Sequence, residues 1–366
     1  MSGEAPLPTL LSQAFVAFTI EFDNEFEHRM PHRTTNHGST PGAGTAPWLV
    51  SMAMWTGCMR LVPESGIRAA DLRPPTRLTA KGLTTLLTRM SRWWGYLEVE
   101  PAGRSRADWR VRPSAGGRQA RTVWGPLGEE VEERWRGRLG AVPVDHLREA
   151  LWAVARRLHG DLPDGFPVFD SDPPPHPLAE NAPAAGGEHS DLPLSTLLAR
   201  PLLAFAIEFD AASPVPLAVC ANVLRVLEPA GVPVTELPAR SGIAREAIDV
   251  ALGRLERRRL VEVGSPAGGR RLRAARLTAG GESARDTYLG RLAAIESRWR
   301  DLLGGETVAT LRGALEPMAA GEGPDGPPLL AGTEPYPDGW RAAAPRPPVL
   351  PHFPMVSHRG GFPDGS

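Results

Sequence analysis

Val234-Thr235-Glu236-Leu237-Pro238-Ala239-Arg240-Ser241-Gly242-Ile243, running on through Ala244 to Arg259, is the stretch on which the fold turns. Thr235 stands where a hydroxyl can cap a short helix, and Gly242 supplies the backbone freedom of a tight turn. Beyond the turn, Ile248, Leu252 and Leu255 recur on one face of a longer helix, which leaves the opposite face free for a major groove. This is the pattern of a helix-turn-helix. It is followed by Leu260-Val261-Glu262-Val263, the tip Gly264-Ser265-Pro266-Ala267-Gly268-Gly269, and a return through Arg270-Arg271-Leu272-Arg273 to Arg276-Leu277-Thr278. Two strands around a Gly-rich tip predict a β-hairpin. A basic hairpin behind a helix-turn-helix predicts a wing that reaches phosphates or a minor groove.

The chain carries this plan twice. Leu10-Leu11-Ser12-Gln13-Ala14-Phe15-Val16-Ala17-Phe18-Thr19-Ile20-Glu21-Phe22-Asp23 returns 187 residues later as Leu197-Leu198-Ala199-Arg200-Pro201-Leu202-Leu203-Ala204-Phe205-Ala206-Ile207-Glu208-Phe209-Asp210. Arg134-Trp135-Arg136 and Leu147-Arg148 recur at an offset of 164 as Arg298-Trp299-Arg300 and Leu311-Arg312. Each copy opens with a helix marked by Phe15, Phe18 and Phe22, or by Leu202, Phe205 and Phe209. A second helix is predicted over Trp48 to Val62 and over Leu217 to Leu227. The hairpin of the first copy is Tyr96-Leu97-Glu98-Val99, a tip from Pro101 to Arg106, and Trp109-Arg110-Val111-Arg112. The predicted fold is mainly α with small β-wings, two winged helix-turn-helix domains at 8–160 and 193–318. The Pro/Gly-rich stretch 161–192 reads as a linker, and 319–366, of similar composition, is expected to be a disordered tail.

With 42% hydrophobic and 23% charged residues the composition is that of a soluble globular protein with matter for two cores. No run approaches the ~18 apolar residues of a membrane span, and Met1-Ser2-Gly3-Glu4-Ala5-Pro6 lacks the features of a secretion signal, so a cytoplasmic address is expected. Cys58 and Cys220 do not align between the copies and are expected to be buried thiols. The net charge of −1 by itself argues against nucleic acid, but its distribution does not. From Arg68 to Arg112, and again from Arg240 to Arg276, ten basic residues stand against four acidic, so each stretch carries +6 and the rest of the chain −13. Basic faces on an otherwise acidic protein point to double-stranded DNA as partner, bound in a salt-sensitive way.

With its wing-to-helix signature Arg276-Leu277-Thr278-Ala279-Gly280-Gly281, and the degenerate Arg112-Pro113-Ser114-Ala115-Gly116-Gly117 in the first copy, the chain resembles the MarR-type winged-helix transcriptional regulators. The resemblance implies dimerisation through N- and C-terminal helices. Here those are the helices of Phe15 and Phe205 and the helices carrying Trp135, Leu151, Trp299 and Leu315, so the duplication would make one chain an intramolecular pseudo-dimer. The implied DNA-reading residues are Arg77, Thr79, Lys81, Thr84 and Thr85 with wing residues Arg104, Arg106 and Arg110 in the first copy. In the second they are Arg240, Ala244 and Arg245 with Arg270, Arg271 and Arg273. Because the two sets differ, two unlike half-sites are expected. The resemblance further implies a regulator released when a small effector favours a spacing of the reading heads that no longer matches the grooves. Many wings of the family pair an Asp with arginines; Asp108 sits between Arg106 and Arg110, and the second wing has no acid.

The first copy alone contains Asn24-Glu25-Phe26-Glu27-His28-Arg29-Met30-Pro31-His32-Arg33-Thr34-Thr35-Asn36-His37, running on to Trp48. Three readings stand. His28, Arg29, His32, Arg33, Trp48 and Trp55 could line a pocket for an anionic effector; His28, His32 and His37 could hold a metal with Glu25 or Asp23; or the polar groups could tie down a long loop. No metal site and no cofactor is carried forward as the expectation. Nothing resembles a nucleophile elbow, a phosphate-binding glycine loop or a paired-cysteine site, and Glu208-Phe209-Asp210 repeats Glu21-Phe22-Asp23 without a histidine, so the acids read as architecture and the chain as no enzyme. The alternative to DNA reading is a winged-helix scaffold that acts through a protein partner, marked by reading helices buried under the tail.

Overall fold

The computed structural model describes residues 4–30, 51–76, 78–92, 94–158, 162–165, 192–264, 273–320, 326–337 and 348–355. The chain is mainly helical with small antiparallel sheets. In the first copy α1 (Leu7–Arg29) is followed by α2 (Ser51–Gly57), β1 (Ile67–Arg68), α3 (Ala69–Thr76), α4 (Ala80–Arg92), β2 (Leu97–Glu100), β3 (Arg110–Pro113), α5 (Ala115–Leu139) and α6 (Ala141–Ala155). The second copy keeps the order: α7 (Leu194–Ala212), α8 (Leu217–Asn222), β4 (Val232–Pro233), α9 (Leu237–Ser241), α10 (Arg245–Arg257), β5 (Val261–Gly264), β6 (Ala274–Leu277), α11 (Ala279–Leu303) and α12 (Gly305–Ala320), after which comes the short α13 (Pro328–Ala331). Strand register is duplicated too, since Leu97 faces Pro113 and Val261 faces Leu277, both pairs 164 residues apart. A two-residue strand that the hydrophobic pattern does not announce, β1 on β3 and β4 on β6, completes each sheet.

The second helix is shorter than its apolar run, because in both copies it breaks after Gly57 or Asn222 and continues as a 3-10 turn, Met59–Leu61 or Leu224–Val226. Thr235 does not cap. It lies inside a 3-10 turn, Val234–Glu236, that leads into α9, whose N-terminus has no side-chain cap. Gly242 does adopt the left-handed backbone the turn requires, at φ 78°, and Ile248, Leu252 and Leu255 are buried. The second glycine of the wing-to-helix motif has a steric cause. Ser114 and Thr278 cap α5 and α11 by accepting from the amides of Gly117 and Gly281, each at 3.0 Å, and a Cβ on either glycine would collide with the carbonyl oxygen of Tyr96 or Leu260.

α1 is buried on nearly every side, packed by α2, α5, α7, α12 and α13, which is where an all-round apolar helix must lie. Phe18 meets Trp135 edge-on at 5.5 Å, and their counterparts Phe205 and Trp299 lie 5.4 Å apart. The copies interlock. α1 packs on α7, α6 on α12, α1 on α12 and α7 on α6. Arg312 of α12 donates to the Ala5 carbonyl and to Glu296, both at 2.6 Å, while Glu296 accepts from the Leu7 amide at 3.3 Å. At the matching place Arg148 of α6 donates to the Leu192 carbonyl at 2.6 Å and to Glu132 at 3.0 Å. Each copy's closing helices therefore grip the start of the other copy's first helix. Cys58 and Cys220 are free, buried thiols, each pushed up to about 12 by desolvation. Among the described residues no single helix is long and apolar enough to cross a membrane.

Two of the expected boundaries need correction. The tail contains two packed segments, 326–337 and 348–355, because Leu329 and Leu330 of α13 and Leu350 and Phe353 supply buried apolar anchors to a stretch that is otherwise Pro-rich. At the start of the linker, Leu162 is buried and Asp164 pairs with Arg60 at 2.8 Å and Arg200 at 2.6 Å. Residues 166–191, 321–325, 338–347 and 356–366 lie outside the described residues.

Candidate nucleic-acid interface

In α4 the apolar residues Leu83, Leu86, Leu87 and Met90 face inward and leave Lys81 exposed on the other side. The threonines have local duties. Thr79 caps the helix by accepting from the Gly82 amide at 3.0 Å, and Thr84 and Thr85 donate to the carbonyls of Ala80 and Lys81 at 2.8 and 3.0 Å. With their protons so used, Thr84 and Thr85 can offer a base edge or phosphate only an acceptor. α10 buries Ala247, Ile248, Ala251, Leu252 and Leu255 and exposes Arg245, Glu246, Asp249, Arg254 and Arg257. Ala244 is a correction. It is only 8% exposed, at the N-cap position with no side-chain cap bond, so it supports the helix start rather than presenting a surface. Val250, which sequence reasoning passed over, stands on the same outer side at 64% exposed. Counting it outward follows from the 3.6-residue period once the buried face is known.

Around the first hairpin, Arg104, Arg106 and Arg110 are exposed. Arg110 donates to the Ser65 carbonyl at 3.0 Å and Arg106 lies over the Trp109 ring at 5.5 Å. Asp108 pairs with Arg68 at 3.3 Å, a partner from β1 rather than its sequence neighbours. In the second copy Arg273 is exposed. Arg240 is also exposed, but its charge is answered by Glu228 at 2.8 Å and Glu236 at 2.9 Å, which hold its guanidinium above its usual range and make it a poor donor to DNA. Arg77, Arg270 and Arg271 lie outside the described residues.

The proposed effector residues do not gather into a pocket among the described residues. Trp55 stacks on Trp124 at 6.2 Å, His28 stacks on Tyr336 at 3.8 Å, and Arg29 pairs with Glu25 at 2.5 Å and with Glu130. His32, Arg33, His37 and Trp48 lie outside the described residues, and among the described residues no group of three or more His, Cys, Asp or Glu is placed to hold a metal. A cavity of about 290 Å3 does lie nearby, between α1, α5 and chain segment 332–337, lined by Glu21, Asn24, Arg134, Arg138 and Tyr336. Sequence reasoning missed it because half of its wall comes from the tail.

The duplicated acids have structural partners. Asp23 accepts from the amides of Ser51 at 3.2 Å and Met52 at 2.7 Å at the start of α2, and Asp210 accepts from Leu217 at 2.7 Å at the start of α8. Glu21 accepts from the Trp135 ring N–H at 2.8 Å and pairs with Arg138 at 2.5 Å, while Glu208 accepts from Trp299 at 2.8 Å and pairs with Arg298. Burial pushes the Glu21 and Asp210 carboxyls up, against the pull of Arg138 in one case and the Leu217 amide in the other. No family model matches this chain, and neither does any curated protein or solved structure.

Proposed function

We propose that the protein is a sequence-specific, DNA-binding transcriptional regulator, two winged helix-turn-helix units held as an intramolecular pseudo-dimer that reads two unlike half-sites. One duplicated observation carries this reading. α4 and α10 each bury one face in their own unit and leave the other exposed, with Lys81 on one and Arg245, Arg254 and Arg257 on the other, and each is followed by a hairpin with exposed arginines. Lys81 suits a phosphate, while Arg245 in the first turn of α10 suits a guanine edge, to which a guanidinium donates twice. For effector control the cavity at Glu21, Arg134 and Arg138 is better suited than His28, Arg29 and Trp55, because it offers about 290 Å3 of space beside two guanidinium groups.

The test is binding of the purified chain to selected genomic fragments across a salt series. A specific fragment is expected to be held tightly at low salt. Lys81→Ala should weaken all sequences alike and lower the salt slope by about 1, whereas Arg245→Ala should cost about 1–3 kcal/mol and relax specificity at one base pair. No specific fragment at any salt, or indifference to both substitutions, would overturn the reading. A scaffold acting through a protein partner is favoured by one specific observation, the packing of segment 348–355 against the turn at Gly242. That contact covers the turn and leaves Arg245, Glu246, Asp249 and Val250 exposed.

A further inference from the structure

We propose that the cleft beneath the α9–α10 turn is a peptide-docking groove, that Val349–Met355 is its ligand in cis, and that it accepts a proline-flanked peptide of the same kind, bent at its centre, from a partner protein. Leu350 and Phe353, three residues apart, are buried in it. Between them the backbone is read directly. Asn222 Nδ2 donates to the Phe353 carbonyl at 2.7 Å, and its Oδ1 accepts from the amides of His352 at 3.0 Å and Phe353 at 3.2 Å. Ser12 of α1 donates to the Pro351 carbonyl at 3.0 Å, and the His352 ring lies 3.4 Å from the Thr9 hydroxyl. With the tail in place Asn222 is fully buried, so its amide depends on the tail's backbone for partners inside the groove. A chain that offers adjacent backbone donors and acceptors satisfies both ends of that side chain, which selects a peptide over an apolar small molecule. Pro351 and Pro354, on either side of the bend at His352 and Phe353, each fix one backbone angle and so lower the entropy lost on docking.

The groove is formed by α8 and the α9–α10 turn of the second copy together with α1. Where that copy has Asn222 and Gly242, the first has Gly57 and Arg77, and the position matching Ser12 is Ala199. In sequence the first copy thus lacks the amide that clamps a backbone. At Gly242 the fit needs a glycine, since a Cβ would collide with the Val349 carbonyl oxygen and lie 2.9 Å from the Pro351 nitrogen. Three departures from the duplicated plan converge on one chain segment. Because the roof is the turn ahead of α10, an occupant bears directly on α9 and α10, and competition for the groove is a route by which a partner acts on them.

The experiment uses the full-length chain. Wild type and the tail-releasing variants Phe353→Ser and Leu350→Ser are titrated into a fluorescein-labelled peptide of residues 348–355 and read by anisotropy. Released variants are expected to bind at least tenfold tighter than wild type, whose tethered tail competes at high effective concentration, and adding Asn222→Ala should remove that binding. In wild type the amides of His352 and Phe353 should be protected from hydrogen exchange and lose protection in Asn222→Ala. Natively folded released variants that bind no tighter than wild type, or that ignore Asn222→Ala, would overturn the proposal. Free exchange of those two amides in wild type would overturn it without any substitution.

Discussion

Glu208 and Trp299 hold one another in a buried pair that the duplication repeats as Glu21 and Trp135. Trp299→Phe keeps most of the ring contact with Phe205 but leaves Glu208 with only part of its hydrogen bonding, so a loss of about 1–3 kcal/mol is expected in urea unfolding; Trp299→Ala should lose about 3–5 kcal/mol. His352 predicts a pH dependence. Desolvation and the nearby Arg225 push its imidazole down to about 3 in the docked tail, against 6.5 when free. The docked form excludes the proton, so docking is unaffected above about pH 6.5 and weakens as pH falls from there toward 3, by up to about tenfold per unit. Hydrogen exchange of residues 348–355 at pH 7.5 and 5.5 checks this, and a His352→Gln variant should lose most of the difference. A carboxylate could be read from sequence as architectural because its motif recurred without a histidine. The depressed imidazole could not, because its cause is burial by residues some 130 and 340 positions away.

Helices were legible wherever a single face is buried. α10 follows from Ile248, Leu252 and Leu255, because the 3.6-residue period is local, and α4 from the repetition of the plan. The strands β1 and β4 were not, since two residues hold no period and exist as strands only through pairing with β3 and β6. The junction of sheet and long helix makes a prediction at this scale. Gly281→Ala places a methyl against the Leu260 carbonyl and should destabilise the chain by about 2 kcal/mol or more, whereas Gly280→Ala, whose Cβ meets its nearest atom at 3.6 Å, should be near neutral; thermal unfolding of the two variants separates them. The candidate reading face was legible in type but not in detail. Thr79 turned out to be a cap, Ala244 a buried support and Arg240 half of an ion-pair cluster, each decided by neighbours that a list of recognition positions does not contain.

For the whole molecule the reciprocal grip of α6 and α12 on α7 and α1 predicts one cooperative unit. Calorimetry should give a single unfolding transition for the two copies together, and separately expressed copies should be aggregation-prone because each exposes the apolar faces of α1 or α7. Arg312 is the most sensitive point in that grip. Its side chain is 11% exposed and pairs with the buried Glu296, so Arg312→Ala leaves that carboxylate with only Arg300 and the Leu7 amide and should lower stability by about 1–3 kcal/mol, while Glu296→Gln with Arg312→Met should recover part of it. If the two units read DNA as proposed, footprinting should show two protected half-sites of different sequence, about one helical turn apart; a perfect palindrome or a single protected site would contradict this.

The sequence by itself determined the duplication, the order of the longer elements, the buried face of α10 and the placement of basic residues around the helix-turn-helix and hairpin of each copy. All of these rest on short-range periodicity, on turn chemistry or on repetition, which are properties of neighbouring residues. Only the tertiary structure decided that the closing helices of one copy hold the opening helix of the other, that the Pro-rich tail packs at two places, and that its last described segment sits under Gly242. Those depend on partners hundreds of residues apart, where a buried amide such as Asn222 or a missing Cβ acquires its meaning from what it touches.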